Sequence, residues 1–342
     1  MVVRVPDYFE EFRCLAGACP HTCCAKWEVV IDEATAQRYE KVPGALGEKL
    51  RSALKRDEEG DLCFPLNGGR CPFLDGENLC EIHRQLGEAA TSITCREHPR
   101  FTEDYGPFRE ITLSASCPAA NALLLGSSAP LTFQTLETAE PGEEGDAWLL
   151  YLVPLRDQML DLLRDRQRPL RQRLAAFLRY AARAQALLDE DRLEELNGLG
   201  EDQPEEAGPG PLLLPASFFF LESLEALEPD WRDVLRQAER AVPVPVPEPL
   251  LERIAVYFAF RYLLKTVNDG DLLSRAQLCV FAVLTVERLA AVCGLEEALR
   301  RFSCEVEHSD DNLEVLLEAF WQEELSWRAS LRELECGGTC AF

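Results

Sequence analysis

The chain has 342 residues, 47% of them apolar, and a formal net charge of −25 at pH 7. This length and apolar content suffice for two domains with cores of their own. The acidic balance argues against a nucleic-acid partner, because binding to phosphates needs clustered Lys and Arg side chains. The longest uncharged apolar run, 276–286, predicts a buried helix and is too short to span a membrane.

The first 117 residues contain nine of the 14 cysteines, namely Cys14, Cys19, Cys23, Cys24, Cys63, Cys71, Cys80, Cys95 and Cys117. Clustered thiolates are ligands that select zinc or iron–sulfur clusters. The alternative, a disulfide framework, is typical of short secreted domains, and residues 1–12 lack the apolar segment of a signal peptide. We therefore predict a metal site in a protein of the reducing cytoplasm.

Turn signals dominate the chain up to about residue 130, where we predict a loop-rich metal-binding domain over 1–130. The signals are Gly68-Gly69, Cys71-Pro72, Asp75-Gly76 and Cys117-Pro118. Loops let distant thiolates converge, and the bound metal then contributes folding free energy. Two short helices fit between the turns, one capped by Asp32 and one over 81–90.

Apolar residues at helical spacing take over from Trp148, which predicts an α-helical domain over 146–335. Pro169 should divide its first helical stretch in two. The segment 189–211 is acidic and rich in Gly and Pro, so we expect a solvated flexible loop there. The run 242–247 alternates Val and Pro and predicts a stiff connector. The remaining predicted helices span 216–241, 249–267, 272–293 and 313–335.

The late cysteines differ from the early group in their surroundings. Cys279, Cys293 and Cys304 recur on similar helical faces among apolar residues, which favours core thiols. Cys336 and Cys340 form a tail pair, and two ligands alone do not close a metal site. The role of that pair stays open.

Several ordered motifs resemble those of the flagellin lysine N-methylase family. They cover about residues 6–120 and are Cys14-x4-Cys19-x3-Cys23-Cys24-x2-Trp27, Arg70-Cys71-Pro72-Phe73-Leu74, Leu79-Cys80-Glu81-Ile82, Leu86-Gly87, Cys95-Arg96-x2-Pro99-Arg100 and Leu113-x2-Ser116-Cys117-Pro118. This family sits within a wider class of CxxCxxCC-type proteins that chelate zinc or iron.

The resemblance implies a cytoplasmic enzyme that transfers a methyl group from S-adenosylmethionine to lysine side chains of flagellin. It also implies a cysteine-bound metal centre, a [4Fe–4S] cluster or alternatively Zn²⁺. The matched ligand positions are Cys14, Cys19, Cys23, Cys24, Cys71, Cys80, Cys95 and Cys117. Cys63 falls outside the family pattern and ranks below these eight.

No familiar signature of a methyl-donor site accompanies the cysteines. A Gly-rich turn between strand and helix, as in Rossmann-type methyltransferases, is not found in the sequence. The spacing Cys-x3-Cys-x2-Cys of radical enzymes fails too, because position 26 is Lys26. The donor site therefore rests on the family resemblance.

Lysine methylation needs a group that removes a proton, since the lysine pKa is about 10.4. Candidate acceptors among the ligand segments are Glu81, Glu97, Glu103, Glu110, Tyr105 and His98, although for each of them a role as a surface or supporting residue is favoured. Three histidines, His21, His83 and His98, are alternative metal ligands, but thiolates fit zinc and iron–sulfur better. The sequence assigns no catalytic residue.

Neighbouring Cys23 and Cys24 should point to opposite sides of an extended segment and so seldom serve one four-ligand centre. Eight thiolates would fill two four-ligand sites, or one cluster with spare cysteines. Arg96 and Arg100, beside Cys95, either offset the charge of such a centre or form surface ion pairs.

The predicted fold is mostly α, with a loop-rich cysteine-cluster domain packed on an α-helical domain and a ligand cleft between them. Two other functions fit the cysteines: a non-enzymatic metal or electron carrier, and a structural zinc module on a helical interaction domain. The acidic surface either keeps the protein in solution or attracts a Lys-bearing protein partner.

Overall fold

A computed structural model describes residues 1–25, 29–57, 60–200 and 207–336. Lys26 and Trp27, which belong to the motifs discussed above, and Cys340 lie outside these residues. The described chain is mostly helical with some sheet. The predicted fold class is thus confirmed in its helical content, while the arrangement of a separate cysteine domain stays a prediction, as do the boundaries 1–130 and 146–335.

Seven short strands lie in the first 137 residues, where the sequence predicted loops and little regular structure. They are β1 Val2–Pro6, β2 Val29–Val30, β3 Lys55–Arg56, β4 Leu62–Phe64, β5 Arg100–Asp104, β6 Phe108–Leu113 and β7 Phe133–Glu137. One sheet has the order β5-β6-β1-β7, and a smaller one has the order β2-β4-β3. The sheets give the cysteine-bearing loops fixed points of attachment.

The larger sheet joins the two ends of the N-terminal region. Strand β1 runs parallel to β6, with Val2 opposite Phe108, and antiparallel to β7, with Val2 opposite Glu137. Strands β5 and β6 form an antiparallel hairpin whose turn contains Gly106 at φ +87°. Glycine suits this turn because side chains disfavour positive φ.

Fourteen α-helices are found in the described residues. The early ones are α1 Glu33–Glu40, α2 Gly44–Ala53, α3 Glu81–Leu86, α4 Ile93–Glu97 and α5 Pro118–Leu125. The later ones are α6 Leu149–Arg164, α7 Leu170–Asp189, α8 Leu213–Ser223, α9 Trp231–Arg240, α10 Glu248–Tyr262, α11 Leu273–Cys293, α12 Leu295–Phe302, α13 Asp310–Trp321 and α14 Trp327–Cys336.

Most helix predictions are confirmed, with shifted or added boundaries. Asp32 caps α1 by accepting a hydrogen bond from the Thr35 amide at 2.9 Å, and Pro169 separates α6 from α7. The single helices predicted over 216–241 and 313–335 are each divided into two. In the first, α8 ends at Ser223 and α9 begins at Trp231, and Pro229 lies in the non-helical segment between them.

The acidic segment 189–211 is attached to the helical core at both ends. Leu196, in a short 3₁₀ helix, and Ala207 are buried. The Arg332 guanidinium on α14 donates to the carbonyl oxygens of Ala207 and Pro211 at 2.9 and 2.8 Å. The prediction of a wholly solvated loop is therefore wrong for these ends.

Two hydrophobic clusters form the core. The larger one unites the helices α5–α14 with residues of the larger sheet, such as Phe108 and Leu113. The smaller one is built from residues between Val29 and Ile82, and Cys24, Cys71 and Cys80 pack in it or against it. The early cysteines therefore border two different apolar surroundings.

Helix α11 lies at the centre of the larger cluster and packs against α10 and α12. The helix is long and apolar enough for a membrane span, since an 18-residue stretch of it has a mean hydropathy of 1.7, and 72% of that stretch is buried inside the protein. The expectation that no apolar stretch is long enough was wrong, because it counted only the uncharged run 276–286. Burial in the protein core accounts for the apolar composition.

Buried ion pairs connect the sheet to the helices. Arg156 of α6 donates to both oxygens of Glu110 on β6, at 2.5 and 2.7 Å, and the two side chains are 2% and 3% exposed. Arg253 of α10 donates to the carbonyl oxygens of Leu124 and Ala129 at the end of α5. These contacts hold α5, and with it Cys117, against the helical core.

Candidate functional site

The eight predicted metal ligands lie at the ends of short elements or in turns. Cys14 precedes the 3₁₀ helix Ala16–Ala18 and Cys19 follows it. Cys80 and Cys117 are the N-terminal caps of α3 and α5, and Cys95 lies within α4. None of the eight is in a disulfide. Thiols at element ends can approach one another because the flanking turns leave their direction adjustable.

Backbone contacts bring distant cysteines together. The Cys71 amide donates to the Cys24 carbonyl oxygen at 2.8 Å, next to a bridge between Ala25 and Arg70. A second bridge joins Leu74 to Cys80, so 71–80 forms a compact turn. Ser92 caps α4 and accepts a hydrogen bond from the Cys95 amide at 3.2 Å.

The eight thiols are grouped into two sets by their neighbours, and Cys24 acts on both sets, because it also raises the pKa values of Cys19 and Cys23. The charge of Cys24 raises the pKa values of Cys71, Cys80 and Cys95, which makes the second thiol set Cys24, Cys71, Cys80 and Cys95. The remaining four influence one another chiefly through Cys14, which makes the first thiol set Cys14, Cys19, Cys23 and Cys117.

Loss of solvent is the larger cause of the raised pKa values in the second thiol set. Burial and then the neighbouring thiolates raise the pKa of Cys71 to about 12 and that of Cys95 to about 11. Residue Cys95 as a whole is exposed, but protein surrounds its thiol. A cation bound among these sulfurs would reverse the shift, because positive charge favours thiolates.

Cys23 and Cys24 connect the two sets. The Cys23 thiol donates a hydrogen bond to the Cys24 sulfur, which raises the pKa of Cys23 and lowers that of Cys24 to about 7. Thr22 and the Arg70 guanidinium lower the pKa of Cys24 further. The expectation that the neighbouring side chains point to opposite sides is wrong, since residues 23–24 form a turn.

Arg70 is the cation beside these thiols, and the sequence analysis did not single it out. Arg96 instead donates to the carbonyl oxygens of Thr91 and Ala89. The Arg100 guanidinium lies over the rings of Phe9 and Phe12, at 5.8 and 5.5 Å from their centroids. The contacts of both arginines are thus with backbone carbonyl oxygens and aromatic rings.

The donor chemistry of the two sets fits zinc or an iron–sulfur cluster, because each contains four thiols. In the part of the chain that the structure describes, no three His, Cys, Asp or Glu side chains lie in an arrangement that could hold a metal ion. The residue types therefore fit a metal centre, but among the described residues their side chains do not form a closed four-ligand site.

The remaining cysteines have separate surroundings. Cys63 is buried in β4. Cys279 is fully buried in α11, as a core thiol should be. Cys293 ends α11 and Cys304 is half-buried, and Cys336 is the last residue of α14. The metal-ligand prediction for the eight early cysteines stays a prediction.

Three of the six candidate proton acceptors are engaged in ion pairs. Glu81 accepts from Lys49 at 2.6 Å, Glu103 pairs with Lys265, and Glu110 pairs with Arg156. Tyr105 is buried, and burial raises its pKa well above its usual value.

A buried polar network lies beside Cys117, and its centre was missed in the sequence. His308 Nε2 lies 2.9 Å from Ser114 Oγ and 2.6 Å from Ser116 Oγ. The neighbouring Glu307 carboxylate accepts hydrogen bonds from Ser303, Tyr257 and Tyr262. Two members of this network were named in the sequence analysis, namely Ser116, within the Ser116-Cys117-Pro118 motif, and His98.

Two half-buried histidines face each other in the network. The ring centroids of His98 and His308 are 5.8 Å apart. Burial lowers the pKa of His98 to about 4, and burial together with the charges of His98 and Arg261 lowers that of His308 to about 3. His83, by contrast, is exposed on α3.

A cleft of about 530 Å³ opens beside the first thiol set. It lies between the segment around His21, helix α5 and the junction of α11 and α12 at Gly294. His21 follows Cys19 by two residues, and Pro118 follows Cys117 directly. A volume of this size is within the usual range for small-ligand sites.

Comparison with known proteins identifies the class that this site suggests. Two proteins named lysine-N-methylase, from Salmonella typhimurium and Salmonella choleraesuis, are each 28% identical to the chain over 131 residues. The matched part is 36% of this chain and 33% of each relative, so the chain spans about a third of their length. The resemblance to the flagellin lysine N-methylase family is thereby confirmed.

A third relative is a flagellar protein. The flagellar biosynthetic protein FliU of Salmonella muenchen is 29% identical over 131 residues, which is 36% of this chain and 78% of that protein. No protein-family model matches the chain. No solved structure matches it either.

Proposed function

We propose that the chain is a protein-lysine N-methyltransferase that uses S-adenosylmethionine and acts on flagellin in the cytoplasm. The observation that carries this proposal is the 131-residue similarity to two lysine-N-methylases and to a flagellar biosynthetic protein. The ordered cysteine motifs support it independently, because they were the basis of the family resemblance in the sequence.

A cysteine-bound metal centre is the second part of the proposal, with a [4Fe–4S] cluster as the first choice and Zn²⁺ as the alternative. The residues that would hold it are the two thiol sets. Arg70 lies beside the second set, where its charge lowers the pKa of Cys24, and it can donate to a negatively charged thiolate centre. A bound centre supplies a folding constraint or an electron-transfer group.

The methyl transfer requires that the lysine amine is neutral and that it approaches in line with the methyl group of the donor. S-adenosylmethionine supplies an electrophilic methyl group. The lysine nitrogen must approach as a neutral amine, so that its N–C bond forms as the donor's S–C bond breaks. A cleft lined by Pro118, Leu250 and Leu295 favours the neutral amine, because apolar walls disfavour the protonated form.

Metal content and methyl transfer, measured together, test the proposal. Protein purified without oxygen should contain about four iron and four sulfide per chain and absorb in the visible range. The variant Cys71→Ser should lose metal, whereas Cys63→Ser, the matched control outside the eight, should keep it. Both proteins are then incubated with flagellin and S-adenosylmethionine bearing a labelled methyl group.

Each outcome separates the functions that the sequence left open. Label on flagellin lysines with iron and sulfide in the protein supports the proposal in full. Colourless protein with stoichiometric zinc and no transfer favours a structural zinc module on a helical interaction domain. An iron–sulfur cluster with neither binding of S-adenosylmethionine nor transfer favours a metal or electron carrier.

A further inference from the structure

Tyr39 of α1 carries a buried hydroxyl group that has no hydrogen-bond partner among the described residues. The residue is 1% exposed, and its ring packs in the smaller core cluster, stacked on Phe64 with 5.9 Å between the ring centroids. Buried polar groups are nearly always hydrogen-bonded, because an unpaired one costs the free energy of its lost contact with water. Since solvent does not reach this hydroxyl, its partner has to lie inside the protein.

The second thiol set lies beside this hydroxyl. Cys71 belongs to the same core cluster as Tyr39, and Cys24 and Cys80 pack against that cluster. Burial raises the pKa of Tyr39, and the charges of Cys95 and then Cys80 raise it further. The hydroxyl therefore keeps its proton at neutral pH and can act as a hydrogen-bond donor.

Local contacts hold α1 against the segments that carry these thiols. The Asp32 carboxylate, which caps α1, also accepts a hydrogen bond from the Ile93 amide at 2.9 Å, at the start of α4. The Arg38 guanidinium, on the same helix, donates at 2.9 Å to a carbonyl oxygen in the short 3₁₀ helix Glu88–Ala90. These contacts fix α1, and with it the phenol ring, relative to α4.

Two other buried tyrosine hydroxyls, those of Tyr8 and Tyr105, also lack a hydrogen-bond partner among the described residues. Both residues lie in the larger core cluster. Burial raises the pKa values of both, and the charges that modify them most are Arg253 for Tyr8 and Glu110 for Tyr105. Tyr39 differs from both, because the charges that modify its pKa most are those of thiolates.

We propose that the Tyr39 hydroxyl is a positioning group that donates a hydrogen bond to a sulfur atom of the metal centre held by the second thiol set. Sulfur atoms in such a centre carry negative charge, and a buried hydroxyl beside them stabilises that charge. Groups of this kind, outside the ligands themselves, fix the ligands and tune the metal. This inference rests on the metal centre of the proposed function and deepens it by adding a residue to the cysteines.

Metal release from the full-length protein tests the assignment. Wild type and Tyr39→Phe are purified without oxygen and with their bound metal. Loss of metal to an excess of pyridylazoresorcinol is then followed over time, because this dye binds both zinc and iron. Removing a hydrogen bond to a metal ligand lowers metal affinity by about 10- to 100-fold. We expect this loss as faster release, so Tyr39→Phe should lose its metal about tenfold faster than the wild type.

An iron–sulfur cluster allows a second measurement. Hydrogen bonds to the sulfur atoms of a cluster raise its reduction potential, because they stabilise the more negative reduced state. In a redox titration followed by electron paramagnetic resonance, the potential of Tyr39→Phe should therefore be more negative than that of the wild type. Loss of packing around the ring alone would not produce this shift, since phenylalanine keeps the ring.

Tyr8→Phe is the matched control. It also removes a buried hydroxyl without a hydrogen-bond partner among the described residues, but from the larger core cluster. This variant should release metal at the wild-type rate. Circular dichroism of both variants shows whether they fold, and we expect that both do, because neither substitution removes a hydrogen bond of the hydroxyl within the described chain.

Equal rates of metal loss in Tyr39→Phe and the wild type, or an equal acceleration in Tyr8→Phe, would overturn the assignment. Failure of Tyr39→Phe to fold would overturn it as well, since the hydroxyl would then have a structural role of its own, and so would a wild type without bound metal. Methyl transfer to flagellin by the wild type is measured in parallel. Transfer with equal rates of metal loss refutes only the role of Tyr39, whereas faster loss without transfer refutes only the methyltransferase.

Discussion

We predict that His308 makes the free energy of unfolding decrease more steeply as the pH is lowered. Its half-buried imidazole contacts Ser114 and Ser116, and its pKa is lowered to about 3. In the unfolded chain the pKa of a histidine is about 6.5. The difference means that the unfolded state takes up a proton over a pH range in which the folded state does not.

The sign and size of the effect follow from this difference in proton binding. Above about pH 6.5 both states are neutral at this residue, and its contribution to stability is fully present. As the pH falls from 6.5 towards 3, only the unfolded state is protonated, so the free energy of unfolding decreases. At pH 5, about 1.5 units below the unfolded pKa, the loss due to His308 is about 2 kcal/mol.

Urea unfolding at pH 8 and pH 5 measures the effect. His308→Gln keeps a hydrogen-bonding side chain that does not titrate, and it should lose about 2 kcal/mol less than the wild type between the two pH values. His83→Gln, at an exposed site on α3, should lose as much as the wild type. An equal loss in His308→Gln and the wild type would refute the reasoning.

Three further variants test other parts of the structure. Arg156→Met removes the bidentate partner of the buried Glu110, which keeps only the 3.7 Å ion pair with Arg4, and should lower the free energy of unfolding by about 3 kcal/mol, measured in urea. Cys63→Ala should keep the metal content that Cys71→Ser loses, measured by elemental analysis of the purified proteins. Phe281→Ala, fully buried in α11, should cost about 3–5 kcal/mol, and an unchanged midpoint in urea would contradict a core position.

The helices were largely predictable because their apolar residues recur at helical spacing. Helix α11 was expected over 272–293 and is found over Leu273–Cys293. Helix α7 begins after Pro169, as the proline indicated. Periodicity did not predict the break between α8 and α9, because the helical spacing of apolar residues continues across this short non-helical segment.

The larger sheet was not predictable from the pattern of the first 137 residues. Strand β1 pairs with β6 and β7, which lie more than a hundred residues further along the chain. Strands this short carry few alternating residues, and the turn signals around them are equally typical of loops. Long-range pairing, which the local sequence does not specify, decides their structure.

The candidate site was half predictable. The ordered cysteines were visible in the sequence, while among the described residues no three of their side chains lie in an arrangement that could hold a metal ion. Contact between Cys23 and Cys24 was not expected, because alternation of side chains holds for extended strands and these residues lie in a turn. Tyr39 and His308 belong to no motif, and only the folded chain brings them to the second thiol set and to the network beside Cys117.

Methyl transfer to flagellin tests the central claim most directly. The metal-loaded protein is incubated with flagellin and S-adenosylmethionine that carries a labelled methyl group, and flagellin peptides are examined by mass spectrometry. The account predicts labelled methyl groups on lysine side chains with the wild type and a loss of most of that label with Cys71→Ser. Unlabelled lysines with the metal-loaded wild type would contradict the claim that this chain is a lysine methyltransferase acting on flagellin.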